Sequence, residues 1–144
     1  MMNKQFNNIL LIIQAYIELI KPSILIMVLI TTLLGYYLGN EGAISWIKLT
    51  WTLLGTGLSA GGASALNQYL ERDQDKLMER TCNRPIPAGI LQPQSALLFG
   101  LIAVIIGSII LVSKINTLTG FLSLLTAFMY VLIYTPMKKL TWLN

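Results

Sequence analysis

Asn67, Glu71 and Asp75 stand four residues apart at the end of a long apolar stretch. On a helix, residues at i, i+4 and i+8 share one face, and neighbours along that face meet. Two carboxylates so placed repel each other, more strongly at a membrane boundary where the effective dielectric is low. A cation between them makes the arrangement favourable. Carboxylate and amide oxygens suit Mg²⁺, which takes one or two carboxylates, keeps several waters and fills its shell with substrate phosphates. Asp73 falls off this face and is expected to meet solvent or a nearby Arg or Lys.

Basic residues follow at once: Arg72, Lys76, Arg80 and Arg84. The guanidinium group holds phosphate oxygens with paired donors. Carboxylates for a metal beside arginines at a membrane surface read as a site for a phosphorylated lipid or a prenyl diphosphate. The competing reading is a solvated loop whose charges pair locally and anchor the topology. The three-residue register, the adjacent arginines and the stiff P-I-P-A-G exit together favour the site.

The elements that carry these residues follow from composition. Hydrophobic residues make up 55% of the 144, and charged residues 11%, against about a quarter in a soluble domain. Mean hydropathy is +0.68. No Asp, Glu, Lys or Arg occurs in 22–40, 49–70, 85–113 or 115–137. Each gap is about the length that crosses a bilayer as a helix. The prolines of the third gap make its start a loop, with the helix opening near Pro93. The expectation is an all-α polytopic bundle in one membrane domain, with transmembrane helices at 22–40, 49–70, 94–113 and 116–136. Residues 71–93 form the motif loop. Residues 1–21 form an interfacial lead-in helix, or an extension of the first span that bends at Pro22. No small-residue cleavage site follows that apolar run, which argues against a signal peptide.

Basic flanks favour the cytoplasmic side. With the N-terminus inside, Lys4, Lys21, Arg72, Lys76, Arg80, Arg84, Lys138 and Lys139 are cytoplasmic, and only Lys48 and Lys114 lie outside. Tyr36, Tyr37, Trp46 and Trp51 then gather at the outer interface. The expected location is the cell (inner) membrane, with the 71–93 loop cytoplasmic. Lys21 itself reads as a snorkelling anchor, and Asn116 as a helix N-cap.

Several chemistries drop out. There is no histidine, hence no imidazole ligand or base. Cys82 is the single cysteine, so no disulfide forms within the chain. G-T-G-L-S-A (55–60) has the letters of a dinucleotide fingerprint but lies inside a spanning segment rather than after a strand. Gly57 and Gly61, with Ala60, Gly62, Ala63 and Ser64, are better read as a close helix-packing face.

N-x-x-x-E-x-x-x-D followed by M-E-R-T-C-N-R-P-I-P-A-G resembles the first aspartate-rich motif of the UbiA superfamily of intramembrane prenyltransferases. Within it, the run is most similar to the protohaem IX farnesyltransferases, or haem O synthases. Y-I-E-L-I-K-P (16–22) and Y-T-P-M-K-K (134–139) are similar to the flanks of that family, so the resemblance covers nearly the whole chain. It implies transfer of farnesyl from farnesyl diphosphate to a vinyl group of haem b, with water completing a hydroxyethylfarnesyl side chain. It assigns Asn67, Glu71 and Asp75 to Mg²⁺ and catalysis, and Arg80, Arg84 and Lys138 to the departing diphosphate.

Glu71 departs from the Asp often found in the pattern, which lengthens one arm of the metal site. Family members also carry about twice as many helices and a second aspartate-rich motif. The chain therefore resembles an N-terminal half, expected to insert but not to turn over without a C-terminal half or a second copy. Two alternatives stand beside this reading: a UbiA-type enzyme acting on a quinone precursor or chlorophyllide, and a non-catalytic membrane module that binds lipid phosphate.

Overall fold

The computed structural model describes residues 2–40, 42–135 and 137, and among these every regular element is helical. The elements are α1 (Met2–Leu19), α2 (Pro22–Leu38), α3 (Trp46–Asp75), α4 (Pro93–Lys114) and α5 (Thr117–Phe128). A six-residue π-helical segment, π1 (Met129–Tyr134), continues α5. The all-α membrane class read from the sequence is the fold observed.

A lysine before a proline sets the first break. The Pro22 ring disfavours helical backbone in the residue before it. Lys21 leaves the helical region but does not take the extended backbone usual before proline: at φ 52° and ψ 74° it is left-handed, the one non-glycine residue there among those described. The chain bends by 50° between 9–19 and 22–38.

By length and apolarity, α4 and the continuous Thr117–Tyr134 helix can each cross a membrane, and the bent α1–α2 pair makes a third span if taken together. The remaining expected span is α3. It is longer than either of these, but Gly, Ser and Thr on its inner turns lower its hydropathy although its middle bears no charge.

Helix α3 is the centre of the bundle and packs most extensively on α4. The two backbones meet at paired glycines. A Cβ on Gly62 would lie 2.7 Å from the Gly100 carbonyl, and one on Gly107 would lie 2.6 Å from the Gly55 carbonyl. Such contact suits helices in lipid, where association depends on close packing. The seam is therefore Gly55–Gly62 against Gly100–Gly107. Of the expected packing face, Gly62 lies on this seam, whereas Gly57 and Gly61 pack toward α2 and the α1–α2 break, where a Cβ would meet Leu29 at 3.5 Å and Ile20 at 3.3 Å respectively.

At the far end, Asn116 caps α5 by accepting from the Thr119 N–H at 2.7 Å. Tyr36 and Trp51 lie at this same end. Tyr36 donates to the Ser45 carbonyl at 3.1 Å, and the Lys114 ammonium sits 5.6 Å from the Trp51 ring centroid.

Candidate functional site

The opposite end of α3 carries the site. Asn67, Glu71 and Asp75 are buried, at 2%, 7% and 4% exposure, although two are acids. Burial of this kind requires partners, because a desolvated charge left alone is very costly. Asp73, three-quarters exposed, turns away and pairs with Arg72 across 3.8 Å at the surface.

The loop after α3 folds back to supply the first partner. The Thr81 hydroxyl donates to the Asp75 carbonyl at 3.0 Å, which closes the chain over the helix end. Pro85 and Ile86 are buried, and Ile86 joins a cluster with Leu19, Ala65, Leu91 and Ala96 that pins the loop between α1, α3 and α4. Gly89, at φ 75°, completes the turn back into α4. Arg84 is thereby set against the acidic face. Its guanidinium donates to Asp75 Oδ2 at 2.7 Å and stands 4.0 Å from Glu71 Oε2. Arg80, one turn earlier in the loop, is exposed and forms no ion pair with these carboxylates among the described residues. Lys138 lies outside the described residues.

The second partner was not expected from the sequence. Lys21 Nζ donates to Asn67 Oδ1 at 2.9 Å. Its reading as a snorkelling anchor is corrected here: the left-handed break before Pro22 carries the side chain inward, onto α3. Holding a lysine in that backbone conformation costs about 1–2 kcal/mol. Neighbouring Gln68 secures the break by donating to the carbonyls of Glu18 and Leu19 at 3.2 and 3.1 Å.

Each of the three acceptor side chains on α3 therefore already holds a protein cation. The donor set, two carboxylates and an amide, suits a hard divalent ion. Among the described residues no group of three or more His, Cys, Asp or Glu could hold a metal. An ion here would draw on the two carboxylates, the Asn67 oxygen, water and substrate oxygens.

Beside this polar end lies an apolar cavity of about 630 Å³ between α2, α3 and α5. Val28, Ala60, Ala63 and Leu122 line its flanks, and Tyr130 and Tyr134 belong to its wall. The two tyrosine rings stack 5.7 Å apart, and Tyr130 is within electrostatic reach of Glu71 and Arg84. The cavity thus adjoins the charged site through Tyr130.

Residues 28–144 match the UbiA prenyltransferase family. The chain belongs to that family. It is 41% identical over 128 residues to the protoheme IX farnesyltransferase of Aquifex aeolicus, covering 89% of this chain and 44% of that protein. It is 40% identical over 136 residues to the protein of the same name from Solibacter usitatus, covering 88% and 47%. Protoheme IX farnesyltransferase 1 of Pseudomonas putida is 40% identical over 124 residues, covering 86% and 42%. The chain thus spans a little under half the length of these UbiA-family relatives. No solved structure matches it.

Proposed function

We propose that this chain forms the first diphosphate-binding half-site of a haem O synthase-type prenyltransferase, which transfers farnesyl from farnesyl diphosphate to haem b. One observation carries the reading: two buried carboxylates and an amide on a single helical face, already bearing cations, beside an apolar cavity in a UbiA-family chain. The names of the relatives favour haem b as acceptor over a quinone precursor. Those names and the family likewise favour a prenyltransferase over a non-catalytic lipid-phosphate-binding module.

In this reading the farnesyl chain lies in the cavity along α3, with its diphosphate at the polar end. Mg²⁺ held by Asn67, Glu71 and Asp75 would supply positive charge to the diphosphate oxygens. Arg84 lies within reach of both carboxylates, and with a cation held there its guanidinium would be free to donate to the diphosphate. Arg80 and Lys138 are proposed to add donors from the loop and from the chain beyond π1. Charge that develops on the leaving diphosphate as the allylic C–O bond breaks then meets fixed donors, a large catalytic term. Carbon 1 of the farnesyl group bonds to the vinyl carbon of haem b. Water adds to the resulting cation and releases a proton, giving the hydroxyethylfarnesyl side chain. The cavity wall keeps water from the allylic centre until the new C–C bond has formed.

The polar end is proposed to face the cytoplasm of the cell membrane, on the basic-residue count. The test of function supplies the length that the relatives have beyond this chain. Membranes carrying this chain together with the C-terminal portion of a relative are given farnesyl diphosphate, Mg²⁺ and haem b. Formation of haem O, dependent on both parts, is the expected result. Binding of farnesyl diphosphate with no prenylated haem would refute the proposed reaction.

A further inference from the structure

The segment π1 has a consequence for the site. A π-helical turn adds a residue to the helical ring and turns every later side chain by about one residue's rotation, roughly 100°. The residue it delivers is Thr135, fully buried at 0% exposure. The Thr135 hydroxyl donates to the Tyr130 carbonyl at 2.8 Å, across the same five-residue reach as its backbone N–H. Asn67 Nδ2 donates to Thr135 Oγ1 at 3.0 Å.

These bonds have a direction. A threonine hydroxyl has one proton. With that proton committed to the Tyr130 carbonyl, Oγ1 can only accept from Asn67, so the carboxamide must present its NH₂ to Thr135. A lysine ammonium has only protons to offer, so Lys21, on the other edge of the amide, requires the oxygen there. Two neighbours, one at the α1–α2 break and one just after π1, select the same orientation of one buried amide.

We propose that Thr135, delivered by the π-helical turn, is a positioning residue that fixes the Asn67 carboxamide with its oxygen toward the cation-binding edge. The inference rests on the metal-site reading above. Without the Thr135 acceptor, Nδ2 loses its partner in a site 2% exposed, and the amide can turn its NH₂ toward an incoming cation. An NH₂ group cannot ligate a metal ion.

The test measures Mn²⁺ binding by electron paramagnetic resonance, with the protein in lipid nanodiscs. Thr135→Val keeps the side-chain shape and removes the hydroxyl, and should weaken Mn²⁺ binding roughly three- to tenfold, the span of one hydrogen bond. Thr135→Ser should restore binding to within about twofold. In an Asn67→Ala background, Thr135→Val should have no further effect, since the two act through one contact. Should Thr135→Val fail to fold, Thr135→Ala carries the same expectations. Parent-like binding by Thr135→Val, or an equal loss in the Asn67→Ala background, would overturn the inference alone. Mn²⁺ binding that ignores Asp75→Asn would overturn the site reading and this inference with it.

Discussion

Replacing Arg84 by glutamine should tighten metal binding rather than weaken it. The guanidinium lies where the cation is proposed to bind, 2.7 Å from Asp75 Oδ2 and 4.0 Å from Glu71 Oε2. A bound ion has to displace that contact first. A hydrogen bond between charged groups is worth about 1.5–3 kcal/mol, and Arg84 is only partly exposed, so screening reduces this little. At about 1.4 kcal/mol per factor of ten, Arg84→Gln should raise Mn²⁺ affinity about ten- to a hundredfold in the absence of diphosphate. Pyrophosphate binding in the presence of saturating Mn²⁺ should fall, because the arginine freed by the metal is the one proposed to hold the diphosphate. The assay is a Mn²⁺ titration by electron paramagnetic resonance, with and without pyrophosphate, on parent and variant in nanodiscs. The two effects have opposite signs, which a merely damaged site could not produce. Unchanged or weaker Mn²⁺ binding by Arg84→Gln would refute the displacement argument.

Other expectations follow from the same geometry. Asp75→Asn, and Glu71→Gln less completely, should abolish Mg²⁺-dependent diphosphate binding and leave membrane insertion intact, whereas Asp73→Asn should change binding less than twofold, because a surface pair such as Arg72–Asp73 contributes about 0–1 kcal/mol; equal sensitivity of Asp73 and Asp75 would contradict the one-face arrangement. Arg84→Lys should impair diphosphate binding more than Arg80→Lys, since only Arg84 is packed on the acidic face; filter binding of labelled farnesyl diphosphate orders the two, and the reverse order would return Arg84 to a structural role. Gly107→Ala should destabilise the bundle by about 1–3 kcal/mol, because its Cβ would sit 2.6 Å from the Gly55 carbonyl and 2.7 Å from the Ser59 nitrogen, both backbone; reversible unfolding in bicelles measures it. A cysteine at exposed Gln74 should label only from the cytoplasmic side of the membrane, and labelling from outside would invert the proposed orientation.

The helical period made the acidic face legible, because Asn67, Glu71 and Asp75 are local to one helix and their spacing alone decides that they share a side. The choice between Arg80 and Arg84 was not legible. It depends on how the loop turns back, through the Thr81 hydroxyl and the burial of Pro85 and Ile86. Lys21 reaches Asn67 across 46 residues, through a backbone conformation that lysine rarely adopts. The K-P pair marked the break, but not its direction. Thr135 was hidden for a related reason: an apolar helix reads alike in α and π form, and one residue of register decides whether a threonine meets the site or the lipid. The α3–α4 seam was only partly legible in the spacing. Two glycines four apart are conspicuous, yet the contacts recur at seven, the separation of Gly55 from Gly62 and of Gly100 from Gly107.

The buried Asn67–Glu71–Asp75 face is proposed to help a prenyltransferase of the UbiA family move farnesyl onto haem b. Mass spectrometry of the haem pool tests it most directly, in membranes carrying this chain with the C-terminal portion of a relative, supplied with farnesyl diphosphate, Mg²⁺ and haem b. The expected result is conversion to the hydroxyethylfarnesyl haem, lost when Asp75 becomes Asn and lost when Mg²⁺ is chelated. Haem b left unmodified while a quinone precursor is prenylated in its place would contradict the assigned acceptor. Haem O formation undiminished by Asp75→Asn would contradict the site itself.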